Sequence, residues 1–202
     1  MTLKILVEKL ARRNSKFITR NEIRENCRKL SLDYYTAIRY LTHYKYVARI
    51  FRGIFYVYSI EEKKLGKINT PFYDILKEAL KIKGIGNWYF GLETALKFNN
   101  LTHEYFAVDY VISDKLFRAK SFFILERKVK FVKLSSKMLS FGVIKNKFNY
   151  SDPEKTLLDL LYLKHYSKSE FIDVAKKLSK SKLIKYSKNY NKQIILAIKE
   201  LK

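Results

Sequence analysis

Two prolines and six glycines in 202 residues leave few places where a helix or strand must stop. Long elements are expected. A single cysteine, Cys27, excludes an internal disulfide and fits a cytoplasmic location. With it stand only three scattered histidines, His43, His103 and His165, whose spacing suits no structural zinc site. No apolar run is long enough for a bilayer span. Glu8 interrupts the one apolar stretch near the N-terminus, which argues against a signal peptide. Acids are scarce too: 19 Asp and Glu stand against 42 Lys and Arg, for a net charge of +23. Self-repulsion on that scale disfavours a compact chain, so a polyanionic partner is expected. Nucleic acid is the first candidate and an anionic membrane surface the second. What is plentiful is apolar: 48% of residues are hydrophobic, enough for a core and too many for disorder over most of the chain.

The charge is not a detachable tail. Residues 1–60 carry a net +9, residues 61–150 +8 and residues 151–202 +6, so it is densest in the first sixty.

Those sixty residues read as a winged helix-turn-helix. Leu3, Leu6, Val7 and Leu10 recur at helical spacing and predict a first helix ending near Asn14-Ser15. Thr19 followed by Glu22 is a capping box, so a second helix starts there, with Ile23, Cys27 and Leu30 inward. After Leu30-Ser31-Leu32, a third helix is expected from Asp33 to about Tyr46, with Tyr34, Ala37, Ile38, Leu41 and Tyr44 inward. Its opposite face carries Tyr35, Thr36, Arg39, Tyr40 and His43, hydrogen-bonding and aromatic groups that suit a DNA major groove. Val47–Phe51 and Ile54–Tyr58 read as strands around the turn dipeptide Arg52-Gly53. That hairpin is the wing, with Arg49 and Arg52 near its tip against phosphates or a minor groove.

Residues 61–69 (E-E-K-K-L-G-K-I-N) read as a linker, and residues 70–202 as a mixed α/β domain. The whole is thus an α+β chain of two domains. Thr70 is the expected N-cap and Pro71 the first residue of an amphipathic helix stopped by Gly84 and Gly86. Trp88-Tyr89-Phe90-Gly91 leads into a shorter helix through Ala95 and Leu96. Strands are expected at 105–112, 122–125 and 129–134, with one or two more in 141–150. Asp152 caps a helix begun by Pro153, and further helices are expected at about 169–178 and 190–201.

Two stretches carry a resemblance. The first is Y-F-G-L-E-T-A-L-K-F-N-N-L-T, with Tyr89, Gly91, Ala95, Leu96, Leu101 and Thr102. The second is D-P-E-K-T-L-L-D, Asp152 to Asp159. With R-G-I-F-Y-V at 52–57, they resemble the AbiEi family, the antitoxin half of abortive-infection toxin–antitoxin pairs. Members often carry His-Gly where this chain has Asn99-Asn100. The resemblance implies a repressor whose winged helix binds inverted repeats in its own promoter. It also implies a C-terminal domain that counteracts a nucleotidyltransferase-like toxin encoded nearby, without forming a stable complex. Read from its residues alone, D-P-E-K-T-L-L-D needs only a structural role: a cap, a helix start, an acid near the helix N-terminus, and local bonds from Thr156 and Asp159.

Two alternatives come from the residues. Asp109 or Asp114, then a strand followed by Glu126-Arg127-Lys128, is the skeleton of a PD-(D/E)xK nuclease, in which two carboxylates hold a metal. No proline precedes either aspartate, and lysine-rich chains hold many chance E-x-K triplets. Neither a catalytic nor a metal site is expected, nor a cofactor. The second is Lys176 to Lys192, seven lysines with no acid, interleaved with Leu183, Ile184, Tyr186 and Tyr190. Anionic lipid or a DNA backbone would bind such a strip, and the DNA reading of the N-terminal part favours phosphate or no role at all. The expected partner is double-stranded promoter DNA, with no membrane. A plain winged-helix regulator with no antitoxin role remains the alternative to the repressor–antitoxin.

Overall fold

The computed structural model describes residues 2–200 and is mixed α/β, with ten helices and two sheets among the described residues. The chain divides into two compact units that meet in sequence at Gly84 and Ile85.

The first unit runs α1 (Thr2–Ala11), β1 (Phe17–Thr19), α2 (Arg20–Lys29), α3 (Tyr34–His43), β2 (Val47–Phe51), β3 (Ile54–Val57), α4 (Ile60–Leu65) and α5 (Phe72–Ile82). Its three strands are antiparallel in the order β1-β3-β2. The capping box forms as the spacing predicts: Thr19 Oγ1 accepts from the Glu22 N–H, and Glu22 Oε2 accepts from the Thr19 N–H. Arg13 holds the same glutamate at 2.6 Å. Asp33 caps α3 by accepting the Thr36 N–H at 2.7 Å. Leu6, Leu10, Ile18, Ile23, Cys27, Ala37, Leu41, Val47, Phe55 and Val57 form the core. Cys27 is thus a packed apolar group, and burial pushes its thiol pKa up.

Several expectations are corrected. Strand β1 is only three residues, too short for an alternation signal, and it exists because Phe17–Thr19 pairs with Ile54–Tyr56 far along the chain. Helix α3 ends at His43, not Tyr46, and Lys45 turns the chain with φ 52°. Tyr44 therefore lies beyond the helix and is exposed rather than inward. Residues 61–69 are not a linker. Ser59 and Glu62 make a second capping box for α4, and Gly66 ends it in the left-handed region. Glu62 is then buried and accepts from the Tyr56 hydroxyl (2.7 Å) and the Asn69 N–H (2.9 Å). Burial raises its pKa, but these donors, the Ser59 N–H and Lys16 outweigh it and hold the carboxyl below its usual range. Thr70 is not a cap. Its hydroxyl lies 2.7 Å from that of Tyr56, and Pro71 stands at the N-cap of α5 without a side-chain bond. Helix α5 accordingly belongs to the first unit, not the second.

The second unit runs β4 (Trp88–Phe90), α6 (Leu92–Phe98), β5 (Val108–Ser113), β6 (Phe122–Ile124), β7 (Arg127–Lys133), a 3-10 turn (Ser136–Leu139), β8 (Val143–Lys145), β9 (Asn149–Ser151) and helices α7 (Pro153–Tyr162), α8 (Lys168–Ala175), α9 (Lys180–Ser187) and α10 (Lys192–Lys199). The strand order is β6-β7-β5-β4-β9-β8, with β5/β7 and β4/β9 parallel. Strand β4 and helix α9 are additions to the sequence expectation. The core joins Tyr89 and Ile112 of the sheet to Leu157, Leu158 and Leu160 of α7, and to Phe171, Leu183 and Ile194 of the last three helices.

The D-P-E-K-T-L-L-D stretch holds these layers together. Asp152 caps α7 through the Lys155 N–H (2.8 Å), as its position predicts. Asp159 does not bond only locally. It accepts the hydroxyls of Tyr89 (2.8 Å) and Tyr190 (2.6 Å), and Lys155 Nζ at 3.3 Å. Lys155 is fully buried, with its ammonium 4.4 Å from the Phe141 ring centroid and 5.0 Å from that of Tyr89. Gly142, at φ +60°, admits it: a Cβ there would lie 2.8 Å from that of Lys155.

Burial, reinforced by the Asp159 charge, drives the Tyr89 and Tyr190 pKa values well above 10, and burial likewise raises Tyr56 and takes Tyr186 to about 12. These groups keep in the folded state a proton that the unfolded chain surrenders near pH 10. Stability must therefore fall as pH rises past 10. Lys155, whose pKa burial lowers, works in the opposite sense but is one group against four. A thermal melting series from pH 8 to 11 should show a flat midpoint to about pH 10 and a steep decline above it. A midpoint still level at pH 11 would contradict the assignment.

Candidate nucleic-acid interface

Helix α3 and the β2–β3 hairpin enclose a cleft of 610 Å³. Of the residues expected to meet DNA, Tyr35, Arg39, His43, Arg49 and Arg52 line it together. All five are exposed. Tyr35 keeps 62% of its surface. Thr36 is exposed but outside the cleft. Tyr40 is neither in the cleft nor fully exposed: its ring packs 4.6 Å from Tyr44 and 6.0 Å from Tyr46, and it serves packing instead.

The cleft adds residues the sequence did not reveal. Arg20, the first residue of α2, and Tyr34 line it beside Arg39. The Arg20 guanidinium lies 5.5 Å, and that of Arg24 5.2 Å, from the Tyr34 ring centroid. Tyr34 packs against the core as its spacing predicts, and its half-buried ring also meets these cations. The Arg20 N–H donates to the Gly53 carbonyl at 2.8 Å, tying the start of α2 to the hairpin turn. Gly53 makes that turn at φ +81°, where a side chain would be strained. No local pattern could have announced Arg20, because its place depends on this contact across thirty-odd residues of chain.

Four arginines and a histidine thus face one cleft that no carboxylate lines. Mutual repulsion among them is relieved by an anion, and a guanidinium fork fits both phosphate oxygens and the O6/N7 edge of guanine.

The nuclease residues do not meet. Asp109 is buried and paired with Arg127 at 2.9 Å. It stands beside Val129 in the register, while Lys128 stands beside Val108 and so points to the other face of the sheet. Asp114 lies past the far end of β5, bonded to Asn87 and Ser136. Glu126 is in the β6–β7 turn.

All seven lysines of the 176–192 strip are exposed. Their apolar neighbours mostly are not: Leu183 and Tyr190 are core, and Tyr186 donates to Asp152 at 2.9 Å. Lys182 pairs with Glu154 at 3.4 Å. The interleaving of Leu183, Tyr186 and Tyr190 therefore reflects helix packing. No helix among the described residues is long and apolar enough to cross a membrane.

The fold has a solved counterpart. The crystal structure of the Rv2827c protein of Mycobacterium tuberculosis is similar over 99% of this chain and 78% of that one, with a TM-score of 0.61 and 12% identity. At that identity the likeness speaks for the fold alone. No protein-family model matches the chain, and no curated protein matches it by sequence.

Proposed function

We propose that the first unit is a winged helix-turn-helix that binds double-stranded DNA, with α3 in the major groove and the β2–β3 hairpin as the wing. On this reading the protein is a transcriptional repressor acting on inverted repeats in its own promoter. The observation that carries it is the acid-free cleft where Arg20, Arg39, Arg49 and Arg52 converge between helix and hairpin. The element order α1-β1-α2-α3-β2-β3 is the one this docking geometry uses. The second unit, by its resemblance to the AbiEi family, would carry the antitoxin role against a nucleotidyltransferase-like toxin, and no enzyme activity is assigned to it.

One observation favours a plain regulator instead. The D-P-E-K-T-L-L-D stretch, a main element of the resemblance, spends its side chains on internal bonds. It marks a fold rather than a surface for neutralising a toxin. Two experiments separate the readings. Footprinting on the DNA upstream of the coding sequence should show paired protected half-sites. Co-expression with the neighbouring gene should relieve toxicity if the antitoxin role is right. No protection at micromolar protein in low salt would refute DNA binding. Protection without rescue leaves the plain regulator.

A further inference from the structure

The second sheet presents a face that its topology does not explain. Parallel strands are ordinarily covered on both sides and read as continuous apolar runs. Strand β7, parallel to β5, instead reads R-K-V-K-F-V-K. Val129 and Phe131 point to one side and are buried, with Val111 and Ile124 also buried. Lys128 and Lys130 point to the other, which the helices cover farther along at Ile112 and Val132 but leave open at this end.

Register aligns what this other side offers. Phe123 of β6 stands opposite Lys128, and Lys128 beside Val108 of β5, one row across three strands. The next residues of the same face, Lys130 and Tyr110, are again side by side. Phe123 is 68% exposed and Lys128 is exposed, while Lys130 and Tyr110 are half-buried. The face closes where the Tyr110 ring meets His165 at 5.1 Å. Neither lysine is in an ion pair among the described residues. The segment leading into β6 adds a second bare phenyl ring, Phe117, at 57% exposure, and the exposed Arg118. It is pinned along β7 by the Arg118 N–H, which donates to the Phe131 carbonyl at 3.1 Å.

Lysines near an edge are an ordinary guard against aggregation, but here they lie on β7, one strand in, and the edge strand β6 carries a bare phenyl ring in the same row. Rings flanked by unpaired cations at the open end of a sheet face match a different ligand: bases stack on the rings while phosphates meet the ammonium groups. We propose that the uncovered end of this face, at β6–β7–β5, binds single-stranded nucleic acid, with Phe123 as the stacking platform and Lys128 and Lys130 as phosphate contacts. Stacking tolerates any base, so sequence preference there is weak. The site lies in the second unit and does not depend on the duplex reading of the first.

The test uses the full chain and fluorescent 12-mers of uridine RNA and thymidine DNA, with a duplex of random sequence measured in parallel. Stacking and phosphate contact are common to both single strands, so both should bind. Phe123→Ala should weaken each about tenfold, since one stacked base contributes on that order. Lys128→Ala with Lys130→Ala should weaken them further and flatten the salt dependence by about 1.4 units. Both changes should leave duplex affinity in place, and Arg39→Ala with Arg52→Ala should give the opposite pattern. Circular dichroism should show all variants folded, because none of the altered side chains is part of the buried core. Single-strand affinity within twofold of wild type in Phe123→Ala would overturn the proposal. So would equal loss in the cleft variant, which would put the strand in the cleft. Displacement by polyglutamate that is indifferent to Phe123 would point to an acidic peptide site and overturn it likewise. If the wild type binds the single strands but no duplex, the first unit's reading fails and this one stands.

Discussion

Lys155→Ala should cost the second unit about 3–5 kcal/mol, the penalty for removing one partner of a buried ion pair. Lys155 and Asp159 both have no solvent exposure and face each other at 3.3 Å one helical turn apart. Truncating the lysine leaves a buried carboxylate with two tyrosine hydroxyls and no cation, and opens a void where Gly142 had made room for the side chain. Domains of this size hold only about 5–15 kcal/mol in total, so the variant should be close to unfolding at 37 °C. Lys155→Met would refill most of the void yet still leave Asp159 unpaired, so it should recover only part of the loss. The measurement is urea unfolding of wild type and both variants. A loss below about 1 kcal/mol for Lys155→Ala would mean that the aromatic ring contacts and the carboxylate contribute little to its position.

The other large effect is on binding. Arg20, Arg24, Arg39, Arg49 and Arg52 give five guanidinium groups in or beside the cleft. If each releases one phosphate counterion, the logarithmic salt slope is about −4.5, and affinity should fall by about 500-fold between 50 and 200 mM salt. Two copies on an inverted repeat would double that exponent. Within the set, position predicts role. Arg39 projects from the middle of α3, so Arg39→Ala should cost about 1–3 kcal/mol on the operator and relax preference at one position. Arg52 sits at the hairpin turn, so Arg52→Ala should weaken operator and random duplex alike and flatten the slope by about one unit.

What could be read from the sequence was local. The capping boxes at Thr19 and Ser59 follow from residues three apart, though the second was hidden in a stretch so polar that it read as linker. Gly53, at the tip of the hairpin, was legible because a turn needs a positive φ there. The face of α3 emerged from helical spacing, except at Tyr40, which packs on Tyr44 and Tyr46, and at the end, where Lys45 breaks the period and throws Tyr44 outward. Illegible were the features made by distant pairing. Arg20 enters the cleft only because the start of α2 is bonded to the hairpin turn. The acids of D-P-E-K-T-L-L-D read as a cap, a charge near the helix N-terminus and a local bond, yet their further partners come from elsewhere: Tyr186 for Asp152, the Ser179 N–H and Lys182 for Glu154, Tyr89 and Tyr190 for Asp159. Strand β4 is three residues of continuous burial and lacks the alternation that marks a strand.

The most direct test of the central claim, that the α3–hairpin cleft reads duplex DNA, is one binding titration. Wild type, Arg39→Ala and Arg52→Ala are measured on the footprinted operator and on a scrambled duplex at 50, 100 and 200 mM salt. The predicted result is a steep salt dependence for the wild type, a collapsed operator-to-scrambled ratio for Arg39→Ala, and an unchanged ratio with uniformly weaker binding for Arg52→Ala. An unchanged ratio in Arg39→Ala, or affinity nearly indifferent to salt, would contradict it.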